Sequence, residues 1–155
     1  MPTITITLDS SLPPELVMAL VNDFSERRSE VFPAVEPKHF HVHSVGPRTA
    51  DATEGTGTGI GASWERCLYD WDQPGCVTAT VTDSNVYTPG SLWRLTTSPT
   101  PAGCRVEMSW VRHFKRSPRG LLFGTAFRLV GRQLFRKYAK QIVANLDALE
   151  TGAQP

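Results

Sequence analysis

No stretch of this chain approaches the ~18 consecutive apolar residues of a membrane-spanning helix, and the N-terminus, MPTITITLDSS, lacks the charged region, apolar segment and cleavage site of a secretory signal. Cysteine is scarce. Cys67, Cys76 and Cys104 are odd in number and match no metal-ligand spacing, which speaks against a disulfide framework or a catalytic thiol and makes a reducing cytoplasm the expected compartment. No Gly-Lys-Ser or Gly-Lys-Thr follows the glycine-rich segment, so a phosphate loop of the Walker type is excluded. Repeats, linkers, a Ser-His-Asp or Cys-His order and paired carboxylates at a diagnostic spacing are also missing, and with them any support for a hydrolase. No nucleic-acid motif accompanies the basic residues, so nucleic acid is not an expected partner. The 155 residues, 40% of them hydrophobic, read as one domain over 1–150 and a short disordered tail over 151–155.

What is present is a division of charge and an order of elements. Residues 1–77 carry 11 acids and 5 bases, and residues 78–155 carry 4 acids and 11 bases, so the net +1 hides a basic second half. The alternation of Ile4, Ile6 and Leu8 with threonines predicts a strand over Thr3 to Leu8. Pro13-Pro14 opens an apolar stretch at helical spacing, and a second short helix is expected from Ser25 to Val31. Six strands follow: Phe40 to Val45, Thr49 to Thr58, Ala62 to Trp71, Val77 to Asp83, Ser91 to Thr97 and Arg105 to Lys115. Glycine and proline separate them, as in successive antiparallel hairpins.

The chain closes on a long amphipathic helix, from Ser117 to about Glu150. Ser117 is placed to cap its first turn and Pro118 to occupy the first helical position. At about 100° per residue, Phe123, Phe127, Val130, Leu134, Phe135, Tyr138, Ile142, Leu146 and Leu149 share one side. Arg128, Arg132, Arg136 and Lys140 form a basic stripe beside it, suited to contact with an anionic membrane or simply to solvation. Gly120, Gly124 and Gly131 fall on the apolar side, where each costs roughly 0.5–1 kcal/mol relative to alanine. They either let the helix backbone touch the sheet or leave room for a ligand.

Parity propagated through the hairpins assigns faces. With Thr100 facing Gly103, Met108 lies opposite Leu95 and Trp110 opposite Trp93. A turn over Tyr87 to Gly90 then sets Ala79 against Leu95 and Val81 against Trp93. One face thus collects Val77, Ala79, Val81, Trp93, Leu95, Val106, Met108, Trp110, Phe114 and Arg112, and should meet the final helix. In the strand Ala62 to Trp71 the inward set is either Trp64, Arg66, Leu68 and Asp70 or Cys67, Tyr69 and Trp71. The second is favoured, because the first buries two charges.

This order, together with Gly61 to Trp71, Asp72-Gln73-Pro74-Gly75, Pro89 and the Gly103 to Val106 entry into the last strand, resembles the START-like, Bet v 1-like (SRPBCC) superfamily, in its polyketide cyclase/dehydratase and lipid-transport branch. The resemblance implies an α+β helix-grip fold: a curved antiparallel sheet of about seven strands wrapped around the C-terminal helix, with two short helices after the first strand. It also implies a cavity for a hydrophobic small molecule, lipid-like or aromatic polyketide-like. Some relatives are cyclases and others only carry ligands, so the fold leaves the choice open.

The expected ligand-facing residues are Tyr69, Trp71, Val77, Ala79, Val81, Trp93, Leu95, Met108, Trp110, Arg112, Phe114, Gly120, Phe123, Gly124, Phe127 and Gly131, although such a Trp and Phe set is more often plain core than a ligand box. A buried Arg112 needs an anionic partner. It pairs with a carboxylate such as Asp70 or offers its donor fork to a ligand, and with Tyr69 it is the candidate for any catalysis. His39, His41 and His43 alternate as metal ligands on a strand would, but Phe40 and Val42 are the apolar side, so an exposed row and no metal are expected. Gly57-Thr58-Gly59-Ile60-Gly61-Ala62 with Asp83 matches a permissive dinucleotide fingerprint. The polar residues 49–54 before it do not make a Rossmann strand, so no cofactor is expected and the glycines read as a hairpin tip.

Overall fold

Alternating threonines and aliphatics at the N-terminus form strand β1, Thr3–Ser10. Two helices follow, α1 over Pro14–Val21 and α2 over Arg28–Val31. The computed structural model describes residues 2–153, without the side chains of residues 60 and 150–153. Six further strands succeed one another: β2 His41–Val45, β3 Thr49–Thr56, β4 Ser63–Asp70, β5 Cys76–Ser84, β6 Leu92–Thr100 and β7 Gly103–Val111. Every neighbouring pair is antiparallel, and the order β1-β7-β6-β5-β4-β3-β2 makes one curved seven-stranded sheet. Helix α3, Pro118–Ala153, lies across its face, which is the helix-grip arrangement. It passes the expected end at Glu150, so 151–153 are helical, while residues 154 and 155 of the anticipated tail lie outside the described residues.

The start of α3 follows the local chemistry. Ser117 Oγ accepts from the Gly120 backbone N–H at 3.1 Å, satisfying one of the first-turn donors that have no intrahelical partner, and Pro118 follows it. Facing residues in β6 and β7 are Thr100 with Gly103, Leu95 with Met108 and Trp93 with Trp110, as the hairpin parity predicts. Between β5 and β6 the register is Val77 with Leu95 and Ala79 with Trp93, two residues from the expected pairing. A shift of two preserves every face. Val77, Ala79, Val81, Leu95, Val106, Met108 and Trp110 are therefore all buried, together with the Arg112 side chain.

Two local expectations are corrected. His39 lies in a 3-10 turn over Pro37–His39 ahead of β2 and bonds through Nε2 to the Gly57 carbonyl at 3.0 Å. His41 and His43 do keep to one side despite a register slip between Val42 and Ser44: their ring centroids are 6.2 Å apart, and His43 Nε2 bonds Thr53 Oγ1, opposite His41, at 2.8 Å. All of β2 is exposed, Val42 included, because it is the edge strand away from α3, which packs against β1 at the opposite edge.

Candidate functional site

Between the sheet and α3 lies an open cavity of about 260 Å³. Eight aromatic side chains line it: Phe32, Trp64, Tyr69, Tyr87, Trp93, Trp110, Phe135 and Tyr138. The sheet supplies one wall through β3, β4, β5, β6 and β7. The segment from Arg28 to Val35 closes a second side, and α3 the third through Leu134, Phe135 and Tyr138. Trp110 meets Phe135 edge-on at 4.8 Å between ring centroids, and Phe32 meets Trp93 at 5.9 Å, so the rings brace one another instead of collapsing into the space. Trp64 and Leu134 line the cavity yet remain exposed, marking where it opens.

Two guanidinium–carboxylate pairs stand in these walls. Arg28, fully buried, donates through Nε to Glu54 and through Nη1 to the Val21 carbonyl at 2.7 Å. Its cation lies 4.1 Å from the Phe24 ring centroid, 4.5 Å from Phe32 and 4.9 Å from Tyr69. Arg112 donates to Glu65 Oε2 at 2.9 Å and to Oε1 at 3.5 Å, with the Tyr87 ring 4.5 Å from its guanidinium carbon. Burial opposes the charge on both arginines, but Glu54 and Glu65 outweigh it and hold each above the ordinary value. Arg112 Nε is buried with no hydrogen-bond partner.

Burial raises the pKa of Tyr69, Tyr87 and Tyr138, so all three hydroxyls stay protonated at neutral pH. Burial likewise pushes the Cys67 thiol up and away from a reactive thiolate. Cys67, Cys76 and Cys104 are free, and among the described residues no cluster of three or more His, Cys, Asp or Glu is arranged to hold a metal ion.

Of the residues expected to face a ligand, Tyr69, Ala79, Trp93, Trp110 and Arg112 line this cavity. Val77, Val81, Leu95 and Met108 are core beneath it. Trp71 lies on the other side of Phe24, stacked at 5.9 Å, and lines a separate, more open groove against α1. Phe114, Phe123 and Phe127 sit toward the start of α3, where Phe114 and Phe127 pack at 5.4 Å. The glycines mark close approach and not space. A Cβ on Gly120 would come within 1.9 Å of the Lys115 carbonyl oxygen, one on Gly124 within 3.2 Å of Phe114, and one on Gly131 within 3.0 Å of Ile4. The hollow lies beyond them, at Leu134 to Tyr138.

Asp70 is not the partner of Arg112: its side chain is on the outer face, accepting from the Asp72 N–H. The favoured parity of β4 already contained the true partner, because a strand that turns Cys67 and Tyr69 inward turns Glu65 inward too. Glu54 carried a similar signal, following buried Ala50 and Ala52 by the same alternation. Arg28 offered none, since only the folding of α2 over the sheet encloses it. Gly57 and Gly59 adopt positive φ in the tip that joins antiparallel β3 and β4, the hairpin tip expected of these glycines, and Arg119 Nη2 bonds the Gly59 carbonyl at 3.2 Å.

A curved sheet gripping a helix around a ring-lined cavity defines a START-like protein. The chain belongs to the family described as "Polyketide cyclase / dehydrase and lipid transport", which matches residues 1–151. It is similar in structure to TTHA0849 from Thermus thermophilus, at 15% identity and a TM-score of 0.77, with 99% of this chain and 100% of that one covered. It is also similar to the Zhui aromatase/cyclase from Streptomyces sp. R1128, at 9% identity, a TM-score of 0.74 and coverage of 94% and 93%. A START superfamily protein from Mycobacterium smegmatis aligns at 13% identity and a TM-score of 0.70, with coverage of 95% and 98%. At such identities the likeness is one of fold. No curated protein matches the sequence.

Proposed function

We propose that this protein binds a hydrophobic, ring-bearing small molecule in the cavity, with an acceptor oxygen of that molecule directed to Arg112. The observation that carries this reading is a buried guanidinium, Arg112, in the wall of an open, aromatic-lined cavity, with its Nε still without an acceptor. The volume, about 260 Å³, falls just below the roughly 300–1,000 Å³ of most small-molecule sites, which favours one or two fused rings over a long acyl chain or a larger polycycle. Rings stack on Trp93, Trp110 and Phe135, and the polar end sits toward the Arg112–Glu65 pair. 2-Naphthoate tests both parts through the fluorescence of Trp64, Trp93 and Trp110. It should bind at least roughly tenfold more tightly than naphthalene, since a hydrogen bond to a charged group contributes about 1.5–3 kcal/mol. Arg112→Lys, which keeps the charge beside Glu65, should abolish that preference. Failure of both compounds to bind would refute the ligand reading, and equal binding would refute the role of Arg112.

An enzyme reading rests on a second contact, the Tyr87 ring lying on the Arg112 guanidinium within the same wall. In a cyclase or dehydratase, Arg112 would stabilise a developing enolate and the protonated Tyr87 hydroxyl would donate a proton. Tyr69, the tyrosine favoured from sequence, is instead packed against Arg28. A Tyr87→Phe variant that binds a cyclisable β-ketone normally but no longer turns it over would favour this reading over simple carriage.

A further inference from the structure

The first half of α3 presents to solvent what its second half buries. Leu121, Leu122, Leu129, Val130 and Leu134 are 65%, 58%, 78%, 42% and 56% exposed. On the helix wheel Leu122, Leu129, Val130 and Leu134 form a ridge, and Arg128, Arg132 and Arg136, spaced four apart and all exposed, run alongside it. From residue 118 to residue 146 there are six Lys or Arg and no acid. Among the described residues none of Arg128, Arg132 and Arg136 forms an ion pair. A run of bare leucines is unusual on a soluble helix unless something covers it.

We infer that this face of α3 docks on an anionic lipid surface, with the leucine ridge entering the headgroup–acyl boundary and the arginines meeting lipid phosphates. Amphipathic helices that lie in a membrane interface combine these two features, an apolar face and flanking Lys or Arg. Charge selects this occupant over a second copy of the chain. A two-fold contact would set the unpaired arginines of one protomer against those of the other, with no acid on the face to neutralise them. The place of the ridge supports a lipid over an acidic protein. Leu134 belongs both to the ridge and to the cavity lining, and Trp64 beside the opening is 37% exposed. Docked this way, the mouth opens at the bilayer surface, and an apolar ligand passes between membrane and cavity without crossing water. The docking face stands on the helix alone, and only this ligand route rests on the binding reading above.

Flotation of the full chain with phosphatidylcholine vesicles, with and without phosphatidylglycerol, tests the inference. Binding should require the anionic lipid and weaken as salt rises. Each arginine near an anionic surface contributes about fivefold in affinity, so Arg132→Glu with Arg136→Glu should cost at least roughly 25-fold. Leu122→Ser with Leu129→Ser should cost roughly tenfold or more while leaving 2-naphthoate binding in solution unchanged. Vesicle binding that ignores both pairs of substitutions, or no vesicle binding at all, overturns the inference. So does a concentration-dependent dimer that Leu129→Asp dissociates, because the face would then belong to a second copy. Vesicle binding without 2-naphthoate binding leaves docking standing and removes only the ligand route. The reverse result removes docking and leaves the ligand reading untouched.

Discussion

The two halves of α3 are built from similar residues and do opposite things. From Ala139 to Leu146 the helix buries Ala139, Ile142, Val143 and Leu146. Two hydrogen bonds pin it there: Asn145 Nδ2 donates to the Val31 carbonyl at 3.1 Å, and Ser10 Oγ donates to Asp147 at 2.8 Å. From Pro118 to Leu134 contact with the fold is made mainly by glycines and Phe127, while the leucines turn outward. The difference shows that amphipathicity along one helix need not mean one thing. The second half anchors the fold, whereas the first half approaches the sheet by its backbone and leaves its large side chains available for another surface.

The strongest way to break this contrast is to truncate the anchoring half. Ile142→Ala or Leu146→Ala should destabilise by about 2–5 kcal/mol, as expected for removing a fully buried side chain, read as a fall in the urea midpoint at constant m-value. A loss under about 1 kcal/mol at both positions would mean that the second half is not the anchor. Next comes Gly120→Ala. The added carbon meets backbone at Lys115, so the turn into α3 must shift, with an expected loss of about 1–3 kcal/mol despite the gain in helix propensity. Gly131→Ala should fall close to zero, because its new contact is the flexible Cδ1 end of Ile4 and the propensity gain of roughly 0.5–1 kcal/mol offsets it. The smallest effect is expected for Leu129→Ser, within about 0.5 kcal/mol of the unchanged protein. A large loss there would place the leucine ridge in the fold.

A second contrast separates the two buried ion pairs. Glu65 and Arg112 both come from the sheet, so strand alternation turned each inward and the pair was within reach of sequence reasoning once β4 parity was set. Asp70, named as the partner from sequence, belongs to the outward set of that same parity. Between Arg66 and Cys67 the β4–β5 register slips, leaving Thr82 between the residues facing them, but the extra residue lies in β5 and leaves the alternation of β4 intact. Arg28 and Glu54 come from different layers, and their meeting depends on α2 folding across the sheet.

What the sequence determined by itself was local and periodic: seven strands in succession along the chain, the faces of β5, β6 and β7, the Ser117-Pro118 start of α3, and the glycine hairpin tip. Periods of 2.0 and 3.6 residues are properties of the backbone and survive errors of two in register. Tertiary structure alone decided where the molecule is hollow. The glycines left open whether the helix touches the sheet or spares a space beneath residues 120–131, and Ile4, Phe114 and Phe127 fill that place. The cavity stays open one to two turns further along, where Trp93, Trp110, Phe135 and Tyr138 prop the walls apart and two paired arginines resist collapse. A void is what is left when residues distant in sequence fail to meet, and no local pattern records that.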